Sequence, residues 1–156
     1  MDGNPENFLQ NKKIKLLEGF SDEERREFLS CGAIREFNLH DKIISENEED
    51  SHIYLILDGD VTVWRKDVRI FKLKSGDVFN EIKIFNPKPN NITVLAEKNS
   101  IVFRFTRNDV LNYFKLKPER LFKIFMLNIV TVLLKKIEGY EDRLIDHNLQ
   151  FRYKGL

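Results

Sequence analysis

Between Gly76 and Thr93 the chain reads GDVFNEIKIFNPKPNNIT, and its polar residues are spaced as in a loop built to hold a phosphate. A glycine turn leads into Phe79-Asn80-Glu81. A short apolar segment with Ile82 and Lys83 follows, then a bend made by Lys88, Pro89, Asn90 and Asn91 that ends at Thr93. Backbone N–H groups at the start of a short helix favour an anion. A carboxylate there accepts a ligand hydroxyl or simply complements the helix dipole. Lys83 and Lys88 can serve a phosphate as point charges or stay solvated. No arginine occurs in the stretch, although a guanidinium is the group that gives a phosphate two parallel charge-assisted bonds.

Other chemistries lack their residues. His40, His52 and His147 are too dispersed for a metal-ligand spacing, so no metal and no cofactor are expected. The acidic run SENEED, Ser45 to Asp50, has neither the alternating ligands nor the central glycine of a calcium loop. Cys31 is alone, which excludes an internal disulfide and reads as a small buried apolar residue. No nucleophile stands beside a plausible base. The sequence therefore points away from an enzyme.

Such a loop needs a rigid frame. With 156 residues, 42% of them hydrophobic and 13 of them Phe, the chain suits one domain with a substantial core. Residues 1–10 read as a flexible tail, 11–147 as the domain, and 148–156 as a second tail. Ser21 followed by Glu24 has the spacing of a capping box, which predicts a helix over Asp22–Ser30. From Ala33 to Phe105 the apolar period becomes two-fold in seven short runs separated by turn residues such as Asp58-Gly59 and Ser75-Gly76, as in a barrel or double-sheet roll. Thr106, with Asp109 after it, caps a helix over Arg107–Leu116. Pro118 then opens a long helix. The expected class is mainly β with flanking helices (α+β), a jelly roll with a long C-terminal helix.

That helix is apolar nearly all round between Leu121 and Leu134, so two of its sides should be covered. One stripe, Phe122, Met126, Ile129, Leu133, Ile137, Tyr140 and Leu144, has the spacing of a seam that a second copy fills, predicting a homodimer; burial within one protomer is the alternative. Leu121, Ile124, Val130 and Leu134 then face the roll. With 26 basic and 25 acidic residues the formal charge is +1, which gives no global attraction to nucleic acid or anionic membrane. The chain shows neither a secretory signal nor the roughly 20 consecutive apolar residues of a span, and a cytoplasmic protein is expected.

The order helix, roll, short helix, long helix resembles the cyclic-nucleotide-binding domain of catabolite-activator-type regulators and cyclic-AMP-dependent kinase regulatory subunits. HIYLILDGDVTVW, His52 to Trp64, is similar to that family's strand, glycine turn and next strand. LKSGDVFNE is similar to the turn leading into its phosphate cassette, where Phe79, Glu81, Pro89 and Thr93 fall in register with Phe-Gly-Glu and Pro-Arg-Ala-Ala-Thr. The resemblance implies cyclic AMP or cyclic GMP as ligand, Glu81 on the ribose 2′-hydroxyl, and a cassette whose filling moves the long helix. Asn90 takes the place of the phosphate-binding arginine. Asn80 takes the place of the cassette glycine, pointing its side chain where a sugar would lie, and His40 and Asn47 replace glycines elsewhere. Trp64 aligns with a strand position flanking the pocket, and Lys135 or Lys136 stands near the level of the base. Two functions follow: a sensor of cyclic nucleotide or another small anion, or a domain that binds none and serves dimerisation or an unidentified protein partner. Only nine residues follow His147, too few for a helix-turn-helix, so direct DNA binding is not expected.

Overall fold

The two-fold alternation resolves into eight strands in the computed structural model, which describes residues 13–154. They are β1 (Ala33–Phe37), β2 (Lys42–Ile44), β3 (His52–Asp58), β4 (Asp60–Arg65), β5 (Val68–Lys74), β6 (Val78–Phe79), β7 (Thr93–Ala96) and β8 (Ser100–Thr106). Two antiparallel sheets, β1-β8-β3-β6 and β2-β7-β4-β5, pack face to face as the expected roll. The runs predict seven strands; β6 adds an eighth. Its two residues are too few to show a period, and only their pairing with Tyr54 and Leu55 of β3 makes them a strand.

Strand β3 lies between two cores. Tyr54 and Ile56 point between the sheets with Val61, Val63, Val94 and Val102. Ile53, Leu55 and Leu57 point the other way, with Phe103 and Phe105, against the helices. A strand covered on both faces reads as a continuous apolar run, as HIYLIL does.

Three helices close the second core: α1 (Asp22–Leu29), α2 (Arg107–Phe114) and α3 (Glu119–Lys154), with a 3-10 turn at Lys15–Leu17. Both predicted capping boxes form, Ser21 with Glu24 and Thr106 with Asp109. Thr106→Ala should cost about 1 kcal/mol, the usual worth of such a cap, seen as a lower denaturant midpoint with an unchanged slope. Phe28 of α1 is fully buried against Phe20, Phe103, Phe105, Tyr113, Phe114 and Phe125, at centroid distances of 5.3 to 6.4 Å. This cluster ties α1, α2 and α3 to the sheet. Beside it, burial pushes the Cys31 thiol up to about 12, the behaviour of an inert, half-buried residue.

Helix α3 runs to Lys154, through residues 148–154 that the sequence reading leaves as tail; no glycine or proline stops it there. The tail expected at 1–10 lies outside the described residues. Among the described residues no helix is long and apolar enough to cross a membrane. The turns at His40 and Asn47 do adopt positive φ, 73° and 66°, as glycine replacements must; Lys66, at 45°, does so without a local signal.

Candidate functional site

At the end of β6 the chain turns through Asn80 (φ 61°, ψ 21°) into a single 3-10 turn, Glu81–Ile84. The Asn80 amide is engaged by the protein itself. Its Nδ2 donates to the His52 carbonyl at 2.7 Å, because pairing of Phe79 with Tyr54 lays this residue along the start of β3. Phe79 is also structural, stacked on Tyr54 at 4.9 Å and 2° and 1% exposed.

Glu81 is 4% exposed, and its carboxylate belongs to α3. Lys136 Nζ donates to Glu81 Oε1 at 2.5 Å and to the Val78 carbonyl at 2.9 Å. The long helix is thus fastened to the cassette by an ion pair whose side chains are 5% and 19% exposed. Of the two helix lysines at this level, the structure selects Lys136. Lys135 is exposed on the same side.

The two cassette lysines divide. Lys83 is buried and spends its ammonium on the Lys88 carbonyl, closing the loop from within; burial lowers its pKa, opposed in part by the charge of Asp50. Lys88, Asn91 and Ile82 face solvent. Asn90 is buried at 3% exposure, with no hydrogen-bond partner for either amide atom among the described residues. Its backbone is held by the acidic run, whose Asn47 N–H donates to the Asn90 carbonyl and whose Glu48 carbonyl accepts from the Asn90 N–H.

That acidic run is more than a solvated turn. Asp50 accepts from the His52 backbone N–H at 2.8 Å, lies 2.8 Å from His52 Nδ1, and accepts from the Tyr54 hydroxyl at 2.5 Å. Burial, reinforced by Asp50, pushes the Tyr54 hydroxyl well above the ordinary phenol range. Its role as a hydrogen-bond donor is therefore permanent at physiological pH.

Trp64 and Thr93 lie elsewhere. Val61 and Val63 point into the roll, so by strand alternation Thr62 and Trp64 point out, and Thr93 pairs with Trp64 on that outer face. Trp64 Nε1 donates to Thr62 Oγ1 at 2.9 Å, and Thr62 in turn donates to Glu97 at 2.5 Å. Thr93 Oγ1 accepts from the Glu46 N–H. Neither side chain lines the cassette.

Next to the Lys136–Glu81 bridge, α3 crosses β5 and the β5–β6 turn and leaves a cavity of about 230 Å³. Phe71 forms part of its floor, covered by Tyr140 at 4.7 Å, with Lys136 at 5.8 Å and Arg143 at 5.4 Å from its ring. Phe71 and Arg143 carry no motif. Both become visible only when β5 and α3 meet.

The predicted dimer seam largely faces the protomer itself. Ile129 is fully buried, Phe122, Met126 and Leu133 pack on the same core, and Tyr140 sits on Phe71. Ile137 and Leu144 remain exposed. Of the residues expected on the roll, Leu121 is buried and Ile124 packs at its margin, but Val130 and Leu134 are 46% and 53% exposed. Rotation of the helix is set by Asn128, whose Nδ2 donates to the Leu16 and Glu18 carbonyls, and by Lys136; apolar periodicity carries neither constraint.

This architecture has relatives. The family model for the cyclic nucleotide-binding domain matches residues 34–116, more than half of the chain and including the whole cassette. A cAMP-dependent protein kinase regulatory subunit from Candida albicans is 33% identical over 98 residues, 62% of this chain and 21% of that protein. The chain spans about a fifth of the length of the curated relatives it matches. Among solved structures, a cyclic nucleotide-binding domain from Methylobacillus flagellatus superposes with a TM-score of 0.80 at 17% identity, covering 92% of this chain and 85% of its own. The Thermus thermophilus catabolite activator protein does so at 0.72 and 18%, covering 86% and 63%. At these identities the two structures establish the roll and its helices, while the matched residues establish membership: the chain belongs to the cyclic nucleotide-binding domain family.

Proposed function

We propose that this chain is a non-catalytic regulatory domain whose cassette is closed by its own long helix. The observation that carries the reading is the 2.5 Å contact between Lys136 and the buried Glu81 carboxylate. Glu81 is the group that, by the resemblance, would accept a ribose hydroxyl. Here a cation from α3 holds it, so a cyclic nucleotide would have to displace a charged partner to make a neutral hydrogen bond, a poor exchange at a buried site.

The phosphate end fits no better. Asn90 stands where the cassette arginine is expected and brings no charge, and the buried ammonium of Lys83 is committed to the Lys88 carbonyl. At about 1.5–3 kcal/mol for each hydrogen bond to a charged group, losing a bidentate guanidinium removes several powers of ten in affinity. Calorimetric titration with cyclic AMP and cyclic GMP tests this. No saturable heat is expected up to millimolar nucleotide, whereas Asn90→Arg combined with Lys136→Gln should gain measurable binding. Micromolar binding to the unaltered protein would overturn the closed-cassette reading in favour of a ligand sensor.

We further propose that α3 pairs with a second copy through a stripe that shares only Ile137 and Leu144 with the predicted one. Leu127, Val130, Leu134, Ile137, Leu144 and Phe151 are 46–67% exposed and recur at heptad seam positions, opposite the buried side of the helix. Glu141 and Asn148 occupy the two remaining seam positions, both exposed. Polar seam residues of this kind restrict register at some cost in stability.

A further inference from the structure

We propose that the cavity between α3, β5 and the β5–β6 turn is a binding site for a small phosphate-type dianion. This does not rest on how the cassette is read, because the cassette contributes no cation to it. Lys15, Lys135, Lys136 and Arg143 line it, facing Asp77 in the wall and Glu81 behind Lys136. Four cations therefore stand against two carboxylates at one point of a chain whose formal charge is only +1. Asp77 engages Lys15 at 3.5 Å and Glu81 engages Lys136. Lys135 and Arg143 have no carboxylate partner among the described residues, and Arg143 lies over the ring of Phe71 with its donors left for a ligand.

The second observation is Gly139. It lines the cavity in the interior of α3, where glycine carries an entropic penalty. Its φ is not in the left-handed region, and a Cβ built there would meet nothing within 4 Å. Neither backbone conformation nor close packing calls for glycine at this position. The missing side chain leaves open space in the cavity wall that Gly139 shares with Lys135, Lys136 and Arg143. The volume of about 230 Å³ far exceeds the ~10–15 Å³ that admits one water, so a polyatomic ligand fits. Lys136 can share its ammonium between Glu81 and an anion in the cavity, which places the ligand against the fastening of α3.

The test is calorimetric titration of the full chain with inorganic phosphate and with ribose 5-phosphate, in chloride buffer of matched ionic strength, with sodium sulfate as the control for non-specific screening. Saturable binding of at least one phosphate probe, stronger than that of sulfate, is expected; the probe that binds more tightly identifies free anion or monoester as the source. Lys135→Gln/Arg143→Gln should weaken it by about tenfold or more. Gly139→Leu, which adds an apolar side chain to the cavity wall without removing any charge and improves helix propensity, should abolish it while far-UV circular dichroism is unchanged. Absence of saturation with both phosphate probes, sulfate binding of equal strength, or binding that survives both variants would each overturn the proposal.

Discussion

Lys136→Met should lower the unfolding free energy by about 3–5 kcal/mol, the usual result of removing one member of a buried ion pair. Glu81, at 4% exposure, would be left without its cation, and the Val78 carbonyl would lose the same donor. The loss stems from a stranded carboxylate rather than from an unusually strong bridge. Glu81→Leu combined with Lys136→Met should therefore recover much of it, since apolar replacement of both partners is often neutral or stabilising. Denaturant titration of the two single variants and the double variant forms the required cycle. Hydrogen exchange gives an independent reading, with amide protection expected to fall from Lys136 toward the C-terminus, where Tyr140 on Phe71 is the next hold on the roll. A loss below about 1 kcal/mol together with unchanged protection would mean that the pair behaves as an exposed one and does not fasten the helix.

Leu134→Lys with Ile137→Lys should convert a dimer to a monomer in sedimentation equilibrium and leave the fold intact. Both side chains are more than half exposed, at 53% and 52%, so a charge costs the protomer little. In a two-stranded seam the same substitutions set like charges against each other across adjacent layers, in place of apolar knobs. Ile129→Ala is the contrasting variant. Ile129 belongs to the stripe that periodicity assigns to the dimer, yet it is 0% exposed in the protomer core, so its truncation should cost about 2–5 kcal/mol of stability. Should the lysine pair leave the oligomeric state unchanged while a dimer persists, the contact lies off this stripe.

These outcomes bear on how much was legible beforehand. The roll was readable because its determinants are local: alternation in β4 and β8, glycine turns at Gly59 and Gly76, and capping boxes at Ser21 and Thr106. The place of Glu81 in the cassette was readable from register, whereas its burial at 4% exposure came only with the fold. For Trp64, alignment with a pocket-flanking strand does not say which face the side chain takes; alternation from Val61 and Val63 turns it outward. Asn80 was expected to obstruct a ligand, and a carbonyl 28 residues earlier, brought alongside by β6, claims it instead.

By itself the sequence determined the family, the order of the elements and the absence of arginine between Gly76 and Thr93, because each is written in contiguous residues or short periods. Only the tertiary structure decided that Lys136 reaches Glu81, that Phe71, Arg143 and Gly139 meet around one cavity, and which of two apolar stripes on α3 faces the core. The physical reason is rotation. A helix that is apolar nearly all round has no preferred inward face of its own, and here that face is chosen by polar contacts to the Leu16, Glu18 and Val78 carbonyls and to Glu81, all remote in the chain.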